Sequence, residues 1–243
     1  MSGPSAQLFL ALALLAEIAG TVGGFGSSTF FVPIANFFFD FQSVLAISAL
    51  FHLFSNASKL GLFRDGVDRR LLLVMGVPAV LCAMLGGLAT PYVPVAALKI
   101  ALGLFLVTMS AWLLLRPAWR LRANTPTAVV GGALSGAMAG MIGTGGAVRG
   151  LALAAFDLPK EVFVATSAAI DMGIDLSRAS AYFGNGYLHA HDLIWLPLLA
   201  AVAFVGTWIG RVLLRQLPQA LFRRVALALV FVIGWVTLYE VSS

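Results

Sequence analysis

The sequence predicts an all-α polytopic membrane protein made of two inverted repeats, each a glycine-broken re-entrant helical hairpin followed by three transmembrane helices. Three observations carry that expectation. Hydrophobic residues fill 60% of the 243 positions and charged residues 10%, with a mean hydropathy of +0.98; soluble domains carry about 25% charge. Apolar segments recur along the whole chain, and two of them are over-long and interrupted by glycines. Basic residues gather in loops whose sides agree only if those two segments turn back.

The first segment, 7–39, is broken by Gly23-Gly24-Phe25-Gly26-Ser27-Ser28. Single-span segments follow at 42–60, 71–90 and 94–115. The fifth, 126–156, is again over-long and carries Gly143-Thr144-Gly145-Gly146. Three more follow at 161–181, 193–214 and 220–239. A helical span needs about 20 apolar residues, so six segments fit one crossing each, while the first and fifth are too long for one and too short for two. Residues 1–7 lack the basic stretch of a cleaved signal peptide. Cys82, the sole cysteine, excludes an intrachain disulfide and a Cys-rich metal site and reads as a small core residue. The net charge of +5 fits cytoplasmic loops, without a nucleic-acid partner.

The loops assign sides. Lys59, Arg64, Arg69 and Arg70 follow the second segment, Arg116, Arg120 and Arg122 the fourth, and Arg211, Arg215, Arg223 and Arg224 flank the turn between the last two. All three regions are expected to be cytoplasmic, and the loops at Thr90–Tyr92 and Asn185–Tyr187, free of Lys and Arg, external. Eight simple crossings would put the second and third basic regions on opposite sides. If the fifth segment re-enters, and by symmetry the first, the conflict disappears. Repeats 1–122 and 123–243 are then inverted, with both termini outside. An offset of 119 aligns them: Gly24 with Gly143, Gly26 with Gly145, Ala35 with Ala154, Phe37 with Phe156, Ala46 with Ala165, Ser48 with Ser167, Ala49 with Ala168 and Ser58 with Ser177. Asn56 stands opposite Asp175, and Lys59 opposite Arg178.

Paired interrupted segments point to a transport site at the bilayer midplane. A hairpin tip presents unpaired N–H groups and the positive end of a helix dipole, which favours an anion. Gly24, Gly26, Ser27, Ser28, Gly143, Thr144, Gly145 and Gly146 are the substrate-binding candidates there, with Thr29 as a further hydroxyl. Gly132, Gly136 and Gly140 form a four-residue ladder, read as helix packing. His52, Asn56 and Lys59 share one helix face, and Asp171, Asp175 and Arg178 occupy the matching places. His52 and Asn56 are assigned to the substrate. Asp171, Asp175, Arg178 and Lys59 are coupling candidates, because an ionisable group within a span is expensive and by default functional. An internal Asp175–Arg178 pair and a structural His52 are the competing readings, and Lys59 is expected to snorkel to the cytoplasmic edge. Asp171 has no obvious partner. Arg149, whose planar fork suits an oxyanion, is assigned to the substrate or cavity, against pairing with Asp157, Asp171 or Glu17. The role of Glu17 stays open. His189 and His191 read as a solvated loop.

The chain resembles the sulfite exporter TauE/SafE family. The resemblance lies in the run from Ala19 and Gly20 through Gly23-Gly24-Phe25-Gly26-Ser27 to Pro33 and the helix start at Gln42–Ser48. It recurs in Ser135-Gly136, Gly140 and Gly143-Thr144-Gly145-Gly146 followed by Glu161–Ser167. Ala152 stands where the second proline would fall, Arg149 intrudes after the second cluster, and Ser27-Ser28 replace glycines. The resemblance implies a cell (inner) membrane transporter exporting sulfite or an organosulfonate. A passive anion channel, or a permease for thiosulfate or a carboxylate, is the alternative. An enzyme is disfavoured: Ala133-Leu134-Ser135-Gly136 lacks the glycine of a serine-protease motif, and no His-Glu-x-x-His pair is present. The partners expected are a small anion and the lipid bilayer, with a homodimer left open and no cofactor or metal.

Overall fold

A computed structural model describes residues 3–63, 66–92, 94–116, 122–156 and 158–242. Arg64, Trp119, Arg120 and Asp157 lie outside the described residues, as does the side chain of His191. The described chain is helical, in the order α1 (Gly3–Gly23), α2 (Ser28–Asn36), α3 (Phe41–Leu62), α4 (Arg69–Ala89), α5 (Val95–Leu115), α6 (Thr125–Ile142), α7 (Gly146–Leu153), α8 (Lys160–Gly184), α9 (Leu196–Gln216) and α10 (Gln219–Ser242). The segments expected from apolarity recur with ends shifted by a few residues. Each over-long segment resolves into a long helix, a glycine break and a short helix.

Local chemistry sets the ends. Asp40 caps α3 by accepting from the N–H groups of Gln42 and Ser43 (3.1 and 3.0 Å). Asp68 caps α4 through Leu71 N–H, and Asn124 caps α6 through Thr127 N–H. α1 stops where Gly24 adopts φ +81°, and α6 where Gly143 adopts φ +78°; both values lie in the region that favours glycine.

Among the described residues five stretches are long and apolar enough to cross a membrane: Pro4–Gly23, Arg69–Tyr92, Thr125–Ile142, Asp192–Gln216 and Gln219–Tyr239. α3 and α8, at 22 and 25 residues, have the length but fall outside that group. They carry the two polar stripes and pack against each other. α3 and α8 run antiparallel: Ser43 meets His189 at one end (3.1 Å), and Asp68 N–H donates to Thr166 Oγ1 at the other (2.9 Å). His189 lies in the loop after α8 with a partly exposed side chain, and its Nδ1 also lies near Ser43 Oγ and Asp192 Oδ2.

Around this central pair, α1 lies on α9, α4 on α6 and on α8, α3 on α9, and α5 on α10. The α4–α6 contact is backbone against backbone. A Cβ at Gly136 would stand 1.9 Å from Ala79 O, one at Gly132 2.2 Å from Met75 O, and one at Gly140 2.3 Å from Ala83 O. The glycine ladder is therefore a packing device.

Both short helices fold back. The Phe9 ring of α1 meets Phe31 of α2 and then Phe38 and Phe39 beyond it, at 5.1–5.9 Å between centroids. In the second half Ser135 Oγ donates to Gly145 O (3.0 Å), and Gly131 faces Ala152.

Candidate functional site

The two breaks meet. Gly146 lies so close to the first break that a Cβ there would sit 2.3 Å from Phe25 O. Arg149, on the first turn of α7, reaches across and donates from Nη2 to Phe25 O (2.7 Å). Gly26, at φ +92°, faces Asp171 of α8; a side chain there would stand 2.9 Å from the carboxylate. The chain thus brings two irregular turns together in the protein interior, beside α3 and α8. Irregular backbone at membrane depth is tolerated only when buried in protein or lining a cavity.

Six charged side chains fill this region, and they pair one to one. Arg149 clamps Asp171 with both terminal nitrogens, and Ser167 Oγ accepts from its Nε at 3.0 Å. Arg178 donates from Nε to Asp175 at 2.8 Å and from Nη1 to Gly143 O at 3.0 Å. Lys59 donates to Glu17 at 2.7 Å. Glu17 accepts four further hydroxyls, from Thr21, Ser27, Ser55 and Thr207. Asn56 Nδ2 donates to Asp175 at 2.8 Å, joining two positions that stand 119 residues apart. Charges taken from water in this way persist only when paired and hydrogen-bonded.

A small cavity lies against these pairs, walled by Gly26, Ser27, Ser28, His52, Ser55, Asn56, Asp171 and Asp175, with room for about one water. His52 packs beside the stacked rings of Phe31 and Phe51. Its Nδ1 lies 3.2 Å from Ser27 Oγ, while its Nε2 is buried and has no partner. Thr29 and Thr144 hydroxyls are likewise buried and unpartnered.

Of the expected site residues, the cavity gathers Gly26, Ser27, Ser28, His52, Asn56, Asp171 and Asp175. Arg149, Lys59 and Arg178 stand behind them, holding the carboxylates. Gly24 turns away toward Phe163 and Phe222. Gly143 and Gly145 serve through their carbonyls, as acceptors for Arg178 and Ser135, and Gly146 packs on the first break. The pairing of Arg149 with Asp171, one of the competing readings, is present, and one expectation is corrected: Lys59 does not snorkel but is buried on Glu17. Sequence reasoning missed Ser55 and Ser167 and left Glu17 unranked. Ser55 was within reach, since it lies between His52 and Lys59 on the same helix face; Ser167 had no signal beyond its match with Ser48. Among the described residues no group of three or more His, Cys, Asp or Glu is placed to hold a metal ion.

Comparison with curated proteins gives no match, and neither does comparison with solved structures. The profile of the sulfite exporter TauE/SafE family matches residues 9–236, nearly the whole chain, and the chain belongs to that family of multi-pass membrane transporters.

Proposed function

We propose that the protein exports a small sulfur oxyanion or sulfonate across the cell (inner) membrane, binding it where the two glycine breaks meet. The observation that carries this reading is the cavity at Gly26–Ser28, lined by His52, whose Nε2 is buried without a partner. Ser28 and Asn56 offer neutral donors there, Ser27 lines the wall with its hydroxyl donated to Glu17, Thr144 adds a buried hydroxyl at the second break, and Gly24, Gly26, Gly143, Gly145 and Gly146 supply the backbone freedom that lets the two turns touch. Arg149 reaches the anion by exchanging it for Asp171. Opening that pair makes room in a cavity otherwise too small for a tetrahedral ion. Asp171, Asp175, Arg178 and Lys59 then couple the state of the cavity to proton movement.

The architecture proposed is two inverted repeats, 1–122 and 123–243, each a re-entrant hairpin and three spans. Its support is the fold-back of α2 on α1 and of α7 on α6, the antiparallel pairing of α3 with α8, and the corresponding contacts of α1 with α9 and α6 with α4. The cavity walls come from one chain, so a second copy is not needed to complete them.

The test is flux in proteoliposomes. Labelled sulfite and methanesulfonate are expected to move saturably and to show counterflow. Linear, non-saturating flux without counterflow would replace the carrier with a channel, and flux undiminished by Arg149→Ala would remove Arg149 from the site.

A further inference from the structure

Among the described residues, the buried charges around the cavity sum to zero. Glu17, Asp171 and Asp175 are matched by Lys59, Arg149 and Arg178. Two of the carboxylates line the cavity itself. An anion entering such a site loses its water and finds no surplus positive charge to replace it, which disfavours its binding. A proton taken up with the anion would supply that charge.

The hydrogen bonds trace where that proton goes. Ser27 has a single hydroxyl proton, and it is donated to Glu17 Oε2. Its oxygen is then the acceptor toward His52 Nδ1. Nδ1 therefore carries the imidazole hydrogen, and the buried, unpartnered Nε2 keeps a lone pair on a ring that lines the cavity. Cavity, His52, Ser27 and Glu17 form one continuous chain.

We propose that Glu17 is the proton acceptor of the transport cycle, reached from the cavity through His52 and Ser27, and that proton and anion occupy the protein together. A proton delivered from solvent as hydronium binds Nε2 and leaves water behind. The Nδ1 hydrogen passes to Ser27 Oγ, and the original hydroxyl hydrogen of Ser27 passes to Glu17 Oε2. His52 and Ser27 end neutral, Glu17 is a neutral acid, and one proton has been taken up. Lys59, still hydrogen-bonded to Ser55 on the cavity wall, loses its counter-ion. The cluster moves from zero to one positive charge, which matches a monoanion. The groups facing His52 are Glu17 on α1, Lys59 on α3, Arg149 on α7, and Asp171, Asp175 and Arg178 on α8. Of the three carboxylates, Glu17 is the one joined to the imidazole through Ser27.

This inference rests on the cavity being the anion site. The probe is methanesulfonate, whose own charge is fixed across the working pH. Calorimetric titration of the purified protein in buffers of different ionisation heat is expected to show uptake of about one proton per anion bound. Glu17→Gln, which imitates the protonated acid, is expected to bind with no uptake. Its flux in proteoliposomes should respond to an imposed voltage, while wild-type flux does not. Ser27→Ala keeps the Glu17–Lys59 pair but cuts the chain; it should slow flux with proton uptake at equilibrium retained. Wild-type binding without proton uptake overturns the proposal and leaves the transport reading standing. Uptake that survives Glu17→Gln places the proton on Asp171 or Asp175 and also overturns it. Absence of both binding and flux for methanesulfonate and sulfite in the wild type removes the transport reading, and this inference with it.

Discussion

Arg149 shows how much depends on one side chain. It is fully buried, binds Asp171 through both terminal nitrogens, and holds the carbonyl of Phe25 in the opposite half of the chain. Truncating it leaves Asp171 as an unpaired carboxylate in the interior, a loss of about 3–5 kcal/mol. Arg149→Ala is therefore expected to lower the unfolding temperature in detergent sharply. Replacing both partners, as Arg149→Met with Asp171→Leu, removes two charges together and should recover most of that stability. Flux should not recover, because the guanidinium proposed to receive the anion is gone. Recovery of flux in the double variant would make the pair a structural clamp only. Gly26 supplies a second residue-scale prediction. An alanine there meets both a left-handed backbone and the Asp171 carboxylate, whereas Gly66, at φ +108°, has nothing within 4 Å of an added Cβ. Both substitutions carry the backbone cost of about 1–2 kcal/mol, but only Gly26→Ala should also reduce anion binding.

At the scale of elements, the molecule depends on close helix contacts made by glycine. α6 lies on α4 at Gly132, Gly136 and Gly140, and α9 lies on α1 where Gly206 meets Glu17 and Gly210 meets Thr21. Gly136→Ala drives a methyl into Ala79 O and is expected to cost about 1–3 kcal/mol through forced separation of α4 and α6; thermal unfolding reads it directly. The ladder was legible in the sequence because a spacing of four on a helix has one geometric meaning. So were the breaks, since left-handed backbone at Gly24, Gly26 and Gly143 has few other occupants. The polar stripes were legible as faces but not as pairs. Periodicity places His52, Asn56 and Lys59 on one side of α3 without saying what stands opposite, and the partner of Lys59 is Glu17, 42 residues earlier. For the same reason Asp171 stood only as one of three pairings open to Arg149, which sits on a different helix, 22 positions away, and no local spacing rule chooses among them.

The whole molecule raises the question of orientation. Phe9 against Phe39 closes the first fold-back near the end where Ser43 meets His189, and the second opens toward the end where Asp68 meets Thr166. The two breaks would then approach a common level from opposite faces, which is what alternating access requires of a symmetric carrier. Loop charge supplies the sign. By the positive-inside rule Arg69, Arg70 and Arg122 are expected on the cytoplasmic face, and the uncharged Thr90–Tyr92 turn on the other. Cys82 is the only thiol, so Cys82→Ser gives a clean background for single cysteines. Tyr92 and Arg122 are both exposed and lie on either side of α5. In intact cells a membrane-impermeant maleimide is expected to label Tyr92→Cys at once, and Arg122→Cys only after the membrane is opened. Pro4, exposed at the start of α1, separates the two topologies for the first segment. If α1 and α2 re-enter, Pro4→Cys labels from outside together with Tyr92→Cys; if the segment crosses once, it labels with Arg122→Cys, and the inverted-repeat architecture fails at its first element.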